Sequence, residues 1–76
     1  MAETERIKFN IVEKLGVLKQ HATGWNKELN LVEWNDNPAK YDIRDWSPTH
    51  ERMSRGVTLH PDEAKKVLEI LKEREF

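Results

Sequence analysis

Three tryptophans and a scatter of cationic side chains are the residues of this 76-residue chain that could do chemistry. An aromatic ring on an open surface can stack on any nucleobase, and Lys or Arg beside it can neutralise phosphate. The chemistry suggested is non-covalent binding of a single nucleic-acid strand. Trp34, Arg44 and Trp46 are the residues whose spacing suits it best.

Other chemistries find little support in the sequence. The three histidines lack the i, i+3 or i+4 spacing of metal ligands, and the chain has no Cys, so we expect neither a metal nor another cofactor. Ser47 and Ser54 lie in no nucleophile elbow, and no Gly-rich loop could hold a phosphate. The sequence predicts that the protein is not an enzyme.

The strands that must position these side chains follow from alternation of apolar and polar residues. We predict a first strand from Ile7 to about Leu18, with a twist or bulge near residues 13–16, and a second over about 25–34. A third covers 40–46 and a short fourth covers 55–59. Turns are expected at 21–24 and 35–38, where Gly, Asn, Asp and Pro concentrate.

Parity along these strands divides the side chains between two faces. Leu29, Leu31, Tyr41 and Ile43 fall on one face, which we expect to be the core, and Trp25 is assigned to that side as well. The second face then carries Trp34, Arg44 and Trp46, exposed together. Arg44 could also form an ion pair with Asp42, Asp45 or Glu33, which at a surface would be weak.

A C-terminal helix is predicted from Pro61 to about Glu75, because Pro suits the first helical position and Asp62 and Glu63 suit the positive helix end. Its apolar stripe is wider than one sheet face covers, and a chain this short buries only about 60% of its unfolded surface. We therefore expect a homodimer in which Val67, Ile70 and Leu71 contribute to the interface.

The expected fold class is thus α+β, a four-stranded curved antiparallel sheet followed by a helix, forming one domain over residues 1–76 with residues 1–5 as a disordered tail. The net charge is −1, but residues 6–60 hold nine Lys and Arg against seven Asp and Glu. So small an excess means that stacking must share the binding energy with phosphate contacts. No stretch is long and apolar enough for a membrane span, so we expect a cytoplasmic protein.

Specific residues also suggest a family. The segments Tyr-Asp-Ile-Arg-Asp-Trp (41–46), Arg-Gly-Val-Thr-Leu (55–59) and His-Pro-Asp-Glu (60–63) resemble the signature of the positive cofactor four (transcriptional coactivator p15) family. The resemblance covers residues 29–72. The long first strand and Gly-Trp-Asn-Lys-Glu-Leu (24–29) look most like its bacterial YdbC-type branch.

This resemblance implies a homodimer that binds single-stranded DNA across a curved sheet with little sequence preference. It places the stacking aromatic on Trp34 and basic contacts on Lys40, Arg44 and Arg55, while Trp46 matches an aromatic position to within one residue. Lys27 and Arg52 are further candidates for phosphate contacts from their charge. We expect a role in transcription regulation, replication or repair. If the protein is bacterial, we expect it to be associated with the nucleoid.

Two alternatives use the same exposed face. One is a dimeric protein-interaction module, whose aromatic patch docks transcription or replication proteins. The other is an RNA-binding chaperone, which competition between DNA and RNA would distinguish.

Overall fold

The computed structural model describes residues 8–74, which form an antiparallel sheet followed by one helix. The strands lie side by side in chain order, β1-β2-β3-β4. The bounds are β1 Phe9–Gln20, β2 Asn26–Trp34, β3 Lys40–Trp46, β4 Met53–Leu59 and α1 Pro61–Lys72. The predicted α+β class and element order are confirmed, and the predicted tail at residues 1–5 lies outside the described residues.

The first strand is irregular, as its broken alternation predicted. Its pairing with β2 slips at three places, so that Val12, Leu15 and Leu18 have no partner on β2. Each slip adds one residue to β1 and increases the local twist. The predicted bulge near residues 13–16 is confirmed, and two further irregularities flank it.

Tight turns connect the first three strands. Asn35 and Asp36 both have positive φ, 52° and 67°, and the Asn37 N–H donates to the Trp34 carbonyl at 2.9 Å. Two positive φ angles in succession define a type I′ turn, for which Asn and Asp are suited. The other turn ends at Gly24, whose φ of 96° favours glycine.

The buried face of the sheet is opposite to the one predicted. Val32 and Trp46 are the buried apolar residues of the described chain, and Asn30 and Asp42 are buried beside them. The expected core residues Leu29, Leu31, Tyr41 and Ile43 are only half-buried.

The cause is the segment 47–52, which folds back over the face of the sheet that carries Glu28 and Trp46. The Ser47 N–H donates to the Arg52 carbonyl, and the Arg52 N–H donates to Ser47 Oγ, both at 3.0 Å. His50 reaches from this segment to the Glu28 carboxylate at 3.0 Å. The loop therefore covers the polar face, which alternation alone would leave in water.

The helix begins at Pro61 as predicted, and the His60 N–H donates to the Glu63 carboxylate at 2.8 Å. Among the described residues it contacts β3 and β4 alone, and none of Pro61–Lys72 is buried. An apolar hollow of about 550 Å³ lies between helix and sheet, lined by residues including Leu29, Ile43, Val67 and Leu71. No helix within residues 8–74 is long and apolar enough to cross a membrane.

Candidate nucleic-acid interface

An open groove of about 860 Å³ lies on the face of the sheet that carries Trp34 and Arg44. Aromatic, cationic and small polar side chains from the first turn, the strands and the covering loop meet there. Its lining consists of Trp25, Trp34, Asn35, Arg44, Glu51, Arg52, Met53, Ser54, Arg55 and Thr58. Four of the predicted site residues, Trp34, Arg44, Arg52 and Arg55, are thus brought together.

Trp34 and Arg44 form one wall of this groove. The Arg44 guanidinium carbon lies 4.6 Å from the centroid of the Trp34 ring, a cation–π distance. Phe9 packs against the same indole with ring centroids 5.9 Å apart. The Trp34 ring is half-buried and fixed by two neighbours, so it is preorganised as a flat surface in the groove.

The Arg44 guanidinium is itself held by Asp42, which is completely buried. Nε and Nη2 of Arg44 each donate to Asp42 at 2.7 Å, and the Thr58 hydroxyl donates to the same carboxylate at 2.9 Å. The Arg44 side chain is only 14% exposed. The pairing of Arg44 with Asp42 considered from the sequence is therefore present, but the expectation of a weak surface pair is wrong: the pair is bidentate and buried, and it compensates the charge of Arg44 inside the protein.

The cations that remain for phosphate come from the loop and β4. Arg52 and Arg55 are both exposed, and neither forms an ion pair with another residue of the described range 8–74. Glu51 lines the same groove and offsets part of their charge. The groove is therefore only weakly cationic, in keeping with the small charge excess in the sequence.

Trp46 shares the face of Trp34 and Arg44, but it is 0% exposed. Its ring packs between Phe9, at 5.2 Å between centroids, and His50, at 5.5 Å. The prediction that Trp46 is exposed for stacking is wrong for the single chain. Parity gave the correct face, but it could not anticipate that the loop residues 47–52 would cover this end of β3.

Two predicted cations lie outside the groove lining. Lys27 is exposed on β2, where it is paired with Lys19 and Asp45, and its parity puts it on the face of Leu29. Lys40 is half-buried at the start of β3 opposite Val32. Their contribution to binding stays a prediction.

Glu28 joins the covering loop to the sheet through its contact with His50. Burial by itself would raise the pKa of this carboxyl, but hydrogen bonds from Asn30 and His50, with the charges of His50 and Lys14, outweigh it and hold the pKa below its ordinary value. His50 makes this contact from a backbone with φ of 64°, a region that His enters more readily than most residues.

The sequence of this chain is similar to those of known proteins. The family model of Transcriptional Coactivator p15 (PC4) matches residues 21–70, which is more than half of the chain. The chain belongs to the PC4 family. An uncharacterized protein of Treponema pallidum (strain Nichols) is 43% identical over 51 residues, which cover 67% of this chain and 60% of that protein. The family predicted from residues 29–72 is confirmed, while the YdbC-type branch stays a prediction.

Membership of the PC4 family supports a nucleic-acid-binding role for this chain in coarse terms. The family is DNA-binding and non-enzymatic, and it is known for single-stranded DNA binding and coactivation. A nucleic-acid-binding role of this kind agrees with a groove that joins indole surfaces to exposed guanidinium groups. Within residues 8–74 no group of three His, Cys, Asp or Glu side chains could hold a metal ion.

Sequence reasoning missed one aromatic residue of the site. The parity of Trp25 with Leu29 predicts the core side, yet Trp25 lines the groove with Trp34. Strand β2 begins at Asn26, so Trp25 belongs to the turn, where alternation has no meaning. Gly24, which ends the turn just before it, was the signal that parity should not be extended to this residue.

Proposed function

We propose that this groove binds single-stranded DNA with little sequence preference, by base stacking and phosphate contacts, in a homodimer without catalytic activity. The observation that carries the proposal is the Trp34 indole, fixed by Arg44 at 4.6 Å in a groove that also holds the exposed guanidinium groups of Arg52 and Arg55. A base stacked on such a ring contributes about 1–3 kcal/mol whatever its identity.

A single strand fits this arrangement better than a duplex. Stacking on an indole requires a base whose face is open, which a duplex does not offer. The Arg44 guanidinium, which lies over the Trp34 ring, has its donors directed to Asp42, Met53, Ser54 and Thr58. We therefore expect little preference for DNA sequence, because the groove offers ring surface for stacking and positive charge for phosphate more than free hydrogen-bond donors for base edges.

The proposed homodimer would cover the apolar hollow between helix and sheet. Val67, Ile70 and Leu71 are 41%, 58% and 43% exposed in the single chain, and the first and last line the hollow. A second subunit would bury these side chains and double the number of grooves. We further propose action on DNA in the cytoplasm, in transcription regulation, replication or repair.

The test is a titration of the protein with a fluorescent oligothymidylate at several salt concentrations. We expect Trp34→Ala to weaken binding about 5- to 150-fold, the equivalent of one lost stacking contact. Arg55→Ala should weaken it and make the salt dependence shallower by about 0.7 on a log–log plot.

Lys66→Ala is the matched control, since it removes one exposed positive charge from the helix, away from the groove. If Arg55→Ala and Lys66→Ala weakened binding equally, the net charge of the protein would determine the affinity, and Arg55 would have no specific role in the groove. Undetectable binding by the unmodified protein, or tighter binding to an RNA of the same length, would contradict the proposal for DNA.

A further inference from the structure

Trp25 enters the groove from a different part of the fold than Trp34. It precedes β2, whereas Trp34 ends β2, so eight residues of chain lie between the two tryptophans. Both are half-buried, and both line the groove. Among the aromatic residues of the described chain, these two alone do so, since Trp46 is fully buried.

The backbone around Trp25 is closely held. The His21 N–H donates to the Trp25 carbonyl at 2.8 Å, and the Gly24 N–H donates to the His21 carbonyl at 3.0 Å. His21 Nε2 lies 2.9 Å from the Asp45 carboxylate, which ties the turn to β3. These contacts fix the backbone position from which the Trp25 side chain extends.

The covering loop also packs against this turn. A side chain on Gly24 would meet the Pro48 ring, since a Cβ built there lies 3.4 Å from Pro48 Cγ. The turn that carries Trp25 is thus held between β3 and the loop that carries Arg52. Trp25 and Arg52 consequently border the same groove from adjoining segments.

We propose that Trp25 is a second base-stacking residue, so that each groove holds two bases of the strand, one on Trp25 and one on Trp34. This inference rests on the proposed binding of single-stranded DNA and adds a contact residue to it. A half-buried indole in an open groove combines a fixed position with free ring surface, as stacking on a nucleobase requires.

The experiment compares oligothymidylate with an abasic strand of the same length, which has the phosphates but no bases. Trp25→Leu keeps an apolar side chain and removes the ring; Trp25→Phe keeps a smaller ring. We expect Trp25→Leu to weaken oligothymidylate binding about 5- to 150-fold and abasic binding less than about 2-fold. Trp25→Phe should retain most of the affinity.

Equal losses on both strands in Trp25→Leu would show that Trp25 only shapes the groove, and an unchanged affinity for oligothymidylate would overturn the inference directly. Failure of the unmodified protein to bind would instead refute the proposed function. If binding is present and Trp34→Ala weakens it while Trp25→Leu does not, only the inference about Trp25 fails.

A second measurement does not depend on the folding of a Trp25 variant. In Trp34→Phe the fluorescent side chains of the groove reduce to Trp25, because Trp46 is buried away from it. Stacking on a base should quench the Trp25 emission as oligothymidylate is added, and the abasic strand should leave it nearly unchanged. Emission that does not change while the strand binds would overturn the proposal.

Discussion

Replacing Asp42 by Asn should remove the support on which the groove wall depends. Asp42 is completely buried and accepts three hydrogen bonds, two from Arg44 at 2.7 Å and one from Thr58 at 2.9 Å. The Asn amide has one acceptor oxygen, and its NH₂ would face these donors, while the Arg44 charge would lose its partner. Breaking a buried pair in this way costs about 3–5 kcal/mol.

Such a loss is large for a small protein, whose total stability is about 5–15 kcal/mol. With a urea m value of about 1 kcal/mol/M, the midpoint should fall by roughly 3 M or more, or the variant should be unfolded in buffer. Protein concentration must be held constant, because association would shift the midpoint.

The control is Glu69→Gln, which removes the exposed pair with Lys66 at 3.5 Å and should cost no more than about 0.5 kcal/mol. The double replacement of Asp42 by Asn and Arg44 by Gln should recover part of the loss, since no charge is then left unpaired. A loss below about 1 kcal/mol in Asp42→Asn would refute the reasoning, because the pair would then behave like an exposed one.

Three further predictions concern other parts of the fold. A Cβ on Gly56 would collide with the Ile43 carbonyl and the neighbouring strand, so Gly56→Ala should destabilise the protein by about 1–3 kcal/mol or more in thermal unfolding. The lowered pKa of Glu28 stabilises the fold above the ordinary glutamate pKa of about 4.3, and this contribution should disappear as the pH falls through the lower folded value; Glu28→Gln should flatten that part of the stability-against-pH curve. Finally, the unmodified chain should sediment as a dimer, and Ile70→Glu, at a side chain 58% exposed in one chain, should shift it toward monomer; a monomeric wild type would refute this.

Strands and turns could be read from the sequence because their signals are local. Alternation gave β3 as 40–46, and Asn-Asp-Asn-Pro gave the turn that the structure builds from two positive φ angles. The prediction that Arg44 lies beside Trp34 is confirmed at 4.6 Å. Parity gave their shared face, but the register pairs Arg44 with Glu28, so it is the long Arg44 side chain that reaches the indole along this face.

Burial could not be read in the same way, because it depends on long-range contacts. His50 reaches Glu28 across 22 residues, and Trp46 is covered by Phe9 from another strand. An alternation rule that chooses the apolar side as the core cannot anticipate a polar face closed by a loop. The apolar side, with Leu29 and Ile43, is left half-buried in one chain, where the proposed second subunit would cover it.

The most direct test of the central claim is the affinity of the unmodified protein for oligothymidylate, measured against salt and compared with Trp34→Ala. Because Arg52 and Arg55 are the exposed guanidinium groups of the groove, the slope of log affinity against log salt should be modest, roughly −1.4 per protomer. We expect this slope together with a loss of about 5- to 150-fold in Trp34→Ala. Binding that is abolished by salt but indifferent to Trp34→Ala would contradict this expectation, since charge alone would then hold the strand.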